Sequence, residues 1–138
     1  MIDKKGHILV VEDDLDIFEA VRIVLEARGF TTSRAKNRAE TGTEIERQRP
    51  VLIILDVILD TETEGFQIAY DLRTPGRSLY AFHEVPIIMM TAIGQLRGMQ
   101  FSPEKDEAFL PVDAFLEKPV PPSVLRAEIE RLIAAGRS

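Results

Sequence analysis

At 138 residues, with 45% apolar and 29% charged residues, the chain is long enough to bury one core and has the balance of an ordinary soluble domain. A net charge of −6 works against nonspecific nucleic-acid binding, and the absence of cysteine excludes disulfides and thiolate metal sites. With only two histidines besides, a structural zinc site has too few ligands.

His7-Ile8-Leu9-Val10-Val11 is a short continuous apolar run and reads as a strand buried on both faces, as in a parallel sheet. Asp13-Asp14-Leu15-Asp16 supplies N-cap acids. Phe18, Val21, Val24 and Leu25 follow at helical spacing, and Gly29 is a C-terminal stop. Phe30 to Ala35 reads as a weaker strand, and Asn37 to Gln48 as a helix diluted by Gly42 and Thr43. After Pro50, Val51-Leu52-Ile53-Ile54-Leu55 is a second strong strand ending on Asp56.

Asp60 to Glu64 reads as a polar loop closed by Gly65, and Phe66 to Arg73 as a helix that Thr74-Pro75-Gly76 breaks. Arg77 to Glu84 is irregular. Pro86-Ile87-Ile88-Met89-Met90 is a third apolar strand, ending at Thr91. In the stretch from Gly94 to Leu110, divided by Pro103, a short helix is expected around Glu104 to Phe109. Ala114-Phe115-Leu116 is a brief strand before Glu117-Lys118-Pro119. Pro121-Pro122 opens a last helix whose stripe is Leu125, Ile129, Leu132 and Ile133. Five strand–helix alternations predict βαβ units, a parallel sheet covered on both faces, and one domain over 1–138. The apolar runs are too short to span a bilayer and Met1 to His7 lacks a signal-peptide core, so a cytoplasmic location is expected.

Four polar segments each follow an apolar strand: Glu12-Asp13-Asp14, Asp56, Thr91-Ala92 and Lys118-Pro119. Ligand sites of open α/β sheets form just outside the carboxyl ends of the strands, so these groups would face one crevice. Singly, each has an ordinary alternative. Asp56 would be a loop or capping aspartate, Lys118 a surface lysine, Thr91 a β-branched packing residue, and Asp13 or Asp14 a helix cap.

Ile8-Leu9-Val10-Val11-Glu12-Asp13, Leu55-Asp56, Met90-Thr91-Ala92 and Phe115-Leu116-Glu117-Lys118-Pro119, in that order and at those separations, resemble the receiver domain of bacterial two-component response regulators. The resemblance covers nearly the whole chain. It implies a flavodoxin-like doubly wound sheet of five parallel strands in the order 2-1-3-4-5, with about five helices. It also implies a switch that takes a phosphoryl group from a histidine kinase or phosphotransfer protein, passes the signal to an unidentified protein target, and is not a metabolic enzyme.

By the same resemblance Asp56 is the phosphoacceptor. Glu12, Asp13 and Asp56, with the backbone carbonyl of Ile58, are the Mg2+ ligands. Thr91, the Ala92 N–H and Lys118 hold the phosphoryl oxygens, and a cis peptide before Pro119 aims the lysine. Phe115 stands where the family has an aromatic switch residue that moves with Thr91; as a core phenylalanine it needs no further role. The resemblance also implies self-phosphorylation with Mg2+ and slow self-hydrolysis, no nucleic-acid contact or membrane insertion by this chain, and leaves dimerisation open.

The chain departs from the family pattern after Asp56. Asp60 replaces a usual proline, and a longer loop with Glu62 and Glu64 adds negative charge, which either weakens phosphate retention or tightens Mg2+ binding. Ile58 and Ile93 are expected to hinder an attacking water and slow dephosphorylation, an effect that Ile58→Asn should reverse. Segments 74–85 and 93–113 exceed the compact family versions, and the second covers the usual signalling face. The last helix ends near the chain terminus, consistent with a stand-alone receiver or one taken from a longer regulator.

Three other readings are weaker. An aspartate-nucleophile phosphohydrolase needs a second acid at position 58, which is Ile58. A flavin binder needs a hydroxyl- and glycine-rich loop where Glu12-Asp13-Asp14 stands. A receiver-like module that works without phosphorylation would not need the full set of acids, threonine and lysine.

Overall fold

The computed structural model describes residues 6–57, 62–92 and 112–135; the side chains of 57, 62–66, 91 and 92 are outside that description. The elements run β1 (Gly6–Val11), α1 (Leu15–Ala27), β2 (Phe30–Ala35), α2 (Arg38–Arg47), β3 (Leu52–Val57), α3 (Glu62–Arg73), β4 (Ile87–Ala92), β5 (Ala114–Lys118) and α4 (Pro122–Ala135). A single 3₁₀ turn, Tyr80–Phe82, lies in the irregular stretch before β4.

All strand pairs are parallel and the sheet order is β2-β1-β3-β4-β5. Alternation along the strands divides the core into two layers. Ile8, Val10, Leu52, Ile54, Ile88 and Met90 pack with Phe18 and Leu25 of α1 and Leu125, Ile129 and Leu132 of α4. Leu9, Val11, Ile53, Leu55, Ile87 and Met89 pack on the other face with Ile45 of α2 and Ile68, Ala69 and Leu72 of α3. Strands covered on both faces must be apolar throughout, which is why β1, β3 and β4 read as unbroken hydrophobic runs. Each fully buried Ile or Leu contributes roughly 1.5–3 kcal/mol.

Local signals set the helix ends. Asp14 caps α1, its Oδ1 accepting the N–H groups of Asp16 at 2.8 Å and Ile17 at 3.2 Å. Gly29, with φ of 98°, takes the left-handed turn after α1 that β-carbon-bearing residues avoid. Asn37 caps α2 through Oδ1, which accepts Glu40 N–H at 2.8 Å.

Three expectations change. The helix expected to start at Phe66 starts at Glu62, so the back half of the expected Asp60–Glu64 loop is helical. Gly65 lowers the helical propensity there, while acids at the first positions suit the partial positive charge of a helix N-terminus. Four α-helices, rather than about five, lie among the described residues; the short helix expected at 104–109 falls outside them. The strands also run further towards the site than their apolar runs, to Val57, Ala92 and Lys118, because ladder pairing continues past the last hydrophobic side chain.

Candidate functional site

The ladder register brings the polar strand ends together. Val11 is the partner of Leu55, so the chain leaves β1 at Glu12 alongside Asp56. Asp56 pairs with Met90, Val57 with Thr91, Thr91 with Glu117 and Ala92 with Lys118. The crevice between β1 and β3 is the switch point of the sheet, where connections turn to opposite faces and ligands of this architecture bind.

Glu12 is buried, 2% exposed, and its N–H donates to Ala35 O at 2.9 Å. Its Oε2 accepts the Asp14 N–H at 3.1 Å. The Asp56 side chain is 1% exposed and is ion-paired through Oδ1 with Nζ of Lys118, whose side chain is 24% exposed. Apart from that ion pair and the contact between the two carboxyl groups, Asp56 Oδ1 and Oδ2 and Glu12 Oε1 are buried carboxylate oxygens without a hydrogen-bond partner. Burial pushes the Glu12 carboxyl up to about 8, and contact with the Asp56 carboxylate adds to the rise; the Asp14 N–H and the Lys118 charge pull the other way.

Unsatisfied buried carboxylate oxygens are costly, and two acids side by side repel. A hard divalent cation, which binds carboxylate oxygens, fits that donor set. Asp13 directly follows Glu12 in the chain and is exposed; among the described residues no group of three His, Cys, Asp or Glu side chains converges into a ready-made cage. Mg2+ keeps several waters and does not require an all-protein cage.

Lys118–Pro119 is cis, as the resemblance implied. Phe115 is half-buried against the cluster that includes Leu9, Leu55 and Met89. Thr91 and Ala92 are at the end of β4 in register with Glu117 and Lys118, their side chains outside the description. Ile58, Asp60, Ile93 and most of the second long segment also lie outside the described residues.

Arg34 was not visible as a site residue from sequence. From the end of β2 its Nε donates to Glu12 O at 2.9 Å and its Nη2 to Asp13 O at 2.6 Å. The signal is the strand order: once β2 is known to flank β1 in parallel register, a long basic residue paired with Val10 reaches residues 12 and 13.

A depression of about 890 Å³ lies elsewhere, lined by Asn37, Arg38, Gln67, Asp71 and Ser78 among others. Its buried acid, Asp71, already accepts Arg38 Nε at 2.7 Å and Nη2 at 2.9 Å, so its charge is met within the protein. The acids with buried unpaired oxygens therefore lie at the carboxyl ends of the strands, not in this groove.

Fold and site together define a flavodoxin-like α/β domain with an acid pair and a lysine at its switch point. The chain belongs to the response regulator receiver domain family, whose model matches residues 8–130. It is 30% identical over 132 residues to "Response regulator Rre1" of Synechocystis sp., covering 92% of this chain and 51% of that protein. It is 29% identical over 131 residues to the "Phosphate regulon transcriptional regulatory protein PhoB" of Escherichia coli, covering 92% and 51%. The chain thus spans about half the length of the curated relatives it matches.

Among solved structures, the signal receiver domain of a signal transduction histidine kinase from Syntrophus aciditrophicus superposes with a TM-score of 0.72 at 27% identity, covering 94% of this chain and 91% of that one. Vibrio cholerae chemotaxis protein CheY4, at 24% identity and a TM-score of 0.72 over 91% and 97%, shares the fold. No helix among the described residues is long and apolar enough to cross a membrane.

Proposed function

We propose that the chain is a phosphorylation-dependent switch whose acceptor is Asp56, loaded from a histidine kinase or phosphotransfer protein and read by a further protein. The observation that carries this reading is the state of Asp56: a buried carboxylate, ion-paired to Lys118 and set against a second buried acid, Glu12, at the switch point of a receiver sheet.

Asp56 is the nucleophile. One carboxylate oxygen attacks phosphorus, the bond from phosphorus to the donor's imidazole nitrogen breaks, and the nitrogen keeps the electron pair. Lys118 already faces Oδ1, so its ammonium is in position to follow the charge onto the phosphoryl oxygens. Thr91 and the Ala92 N–H, level with Lys118 in the ladder, are assigned the remaining oxygens. A Mg2+ ion held by Glu12, Asp13, Asp56 and the Ile58 carbonyl would supply charge neutralisation between the acids and the incoming group. Later attack by water returns the carboxylate and inorganic phosphate, so the activity is that of a self-resetting switch. Phe115, on β5 and packed against the cluster that holds Leu55 and Met89, is assigned the link from Thr91 to the surface.

Intact-protein mass after incubation with acetyl phosphate tests the reading. A phosphoryl adduct on the native chain, lost with chelator and absent from Asp56→Asn, is the expected result. A folded, adduct-free native chain under all conditions would leave a receiver-like module that works without phosphorylation.

A further inference from the structure

Arg34 sits on β2, the edge strand next to β1, with its Cα in register with Val10. Its half-buried side chain extends past the strand end and ties two consecutive carbonyls, those of Glu12 at 2.9 Å and Asp13 at 2.6 Å. We infer that Arg34 is a positioning residue that fixes the backbone carrying the Glu12 and Asp13 carboxylates for cation binding, an inference that rests on the reading of the site given above.

The surrounding bonds show how complete the restraint is. The Glu12 N–H is held by Ala35 O, the Asp14 N–H by Glu12 Oε2, and the Asp14 carboxylate by the first turn of α1. Arg34 adds the carbonyls of both Glu12 and Asp13 to that set. A guanidinium offers N–H groups on separate nitrogens in a rigid planar fork, which matches two fixed acceptors; an ammonium's three donors radiate from one nitrogen on a flexible stem. Outer partners that orient metal ligands typically change affinity by about ten- to a hundredfold when removed.

Arg34 also brings a positive charge near the acids, and that charge by itself opposes cation binding. Positioning and charge therefore predict opposite signs for the same substitution. Arg34→Met keeps an apolar stem and loses both donors and the charge. Arg34→Lys keeps the charge and loses the fork.

The test is a calorimetric Mg2+ titration of the native chain and both variants at one pH and ionic strength, with urea unfolding of each in chelator. Both variants should bind Mg2+ roughly tenfold more weakly. Their labelling by acetyl phosphate should slow by the same factor at low Mg2+ and recover at saturating Mg2+. Tighter binding by Arg34→Met with unchanged binding by Arg34→Lys would overturn the inference in favour of a charge effect. Lower unfolding stability with Mg2+ affinity unchanged would reduce Arg34 to a structural staple. A native chain that binds no Mg2+ overturns the reading of the site itself, and this inference with it.

Discussion

At the amino end of the sheet, the Asp113 carboxylate accepts Arg73 Nη2 and the Ile87 N–H through Oδ2, each at 2.8 Å, and Arg73 also donates to His83 O at 2.8 Å. Nearby in β1, the two ring nitrogens of His7 share hydrogen bonds of 2.8 Å with the Thr31 and Ser33 hydroxyls. At the carboxyl end, the Asp56 side chain is 1% exposed and paired with Lys118 through Oδ1, while Asp56 Oδ2 and Glu12 Oε1 have no partner but the neighbouring carboxyl. Both ends bury charge. At one the protein meets it with donors, and at the other an acid faces an acid. Buried polar groups are normally satisfied, so the acid pair is where a ligand is proposed.

The largest expected effect tests the satisfied end. Asp113→Ala removes the carboxylate that receives Arg73 Nη2, 10% exposed, and the Ile87 N–H. It should lower unfolding free energy by roughly 3–5 kcal/mol in urea titrations while leaving Mg2+ affinity unchanged. At the other end, Asp56→Asn in chelator removes the carboxylate that helps to raise Glu12, so the Glu12 carboxyl should titrate below about 8 in an NMR pH titration. A Glu12 titration unmoved from about 8 would show that burial alone sets it.

Titration sharpens the same comparison. Glu12 has a folded-state pKa of about 8 against an ordinary 4.5. Without metal, the unfolded chain releases this proton near 4.5 and the folded chain keeps it to about 8. Glu12 therefore stabilises the fold fully below 4.5, and that contribution is lost as pH rises towards 8. Because a bound cation requires the carboxylate, Mg2+ affinity should rise about tenfold per pH unit from neutrality up to 8 and then level off. Calorimetry in buffers of different ionisation enthalpy would detect the released proton; a flat profile would remove Glu12 from the ligand set.

His7 gives the smallest effect. Burial, with a lesser push from Arg47, lowers its pKa below 6.5. Its contribution is complete above 6.5 and is lost as pH falls from there towards the folded-state value, because the unfolded chain takes up a proton that the folded one refuses. Against His7→Gln, the native chain should lose stability across that acid range and match its slope above it.

Much of this architecture was legible from the chain alone, and the reasons are physical. Strands buried on both faces cannot hide, and the unbroken runs of β1, β3 and β4 fixed the parallel sheet. The cap at Asp14 and the turn at Gly29 are short-range chemistry, readable within a few residues. The start of α3 was not readable, because Gly65 and the acids around it carry loop and helix signals at once. In the site, Glu12, Asp56 and Lys118 were legible as polar ends of apolar runs. Arg34 was not, since its partners are 21 and 22 residues away and only strand order brings them near.

The most direct measurement is reductive trapping of the phosphoryl group with borohydride after acetyl phosphate treatment, followed by peptide mass mapping. An aspartyl phosphate is reduced to homoserine, so the account predicts homoserine at position 56 in the native chain, formed only with Mg2+. Conversion at another carboxylate, or none in a folded chain that binds Mg2+, would contradict it.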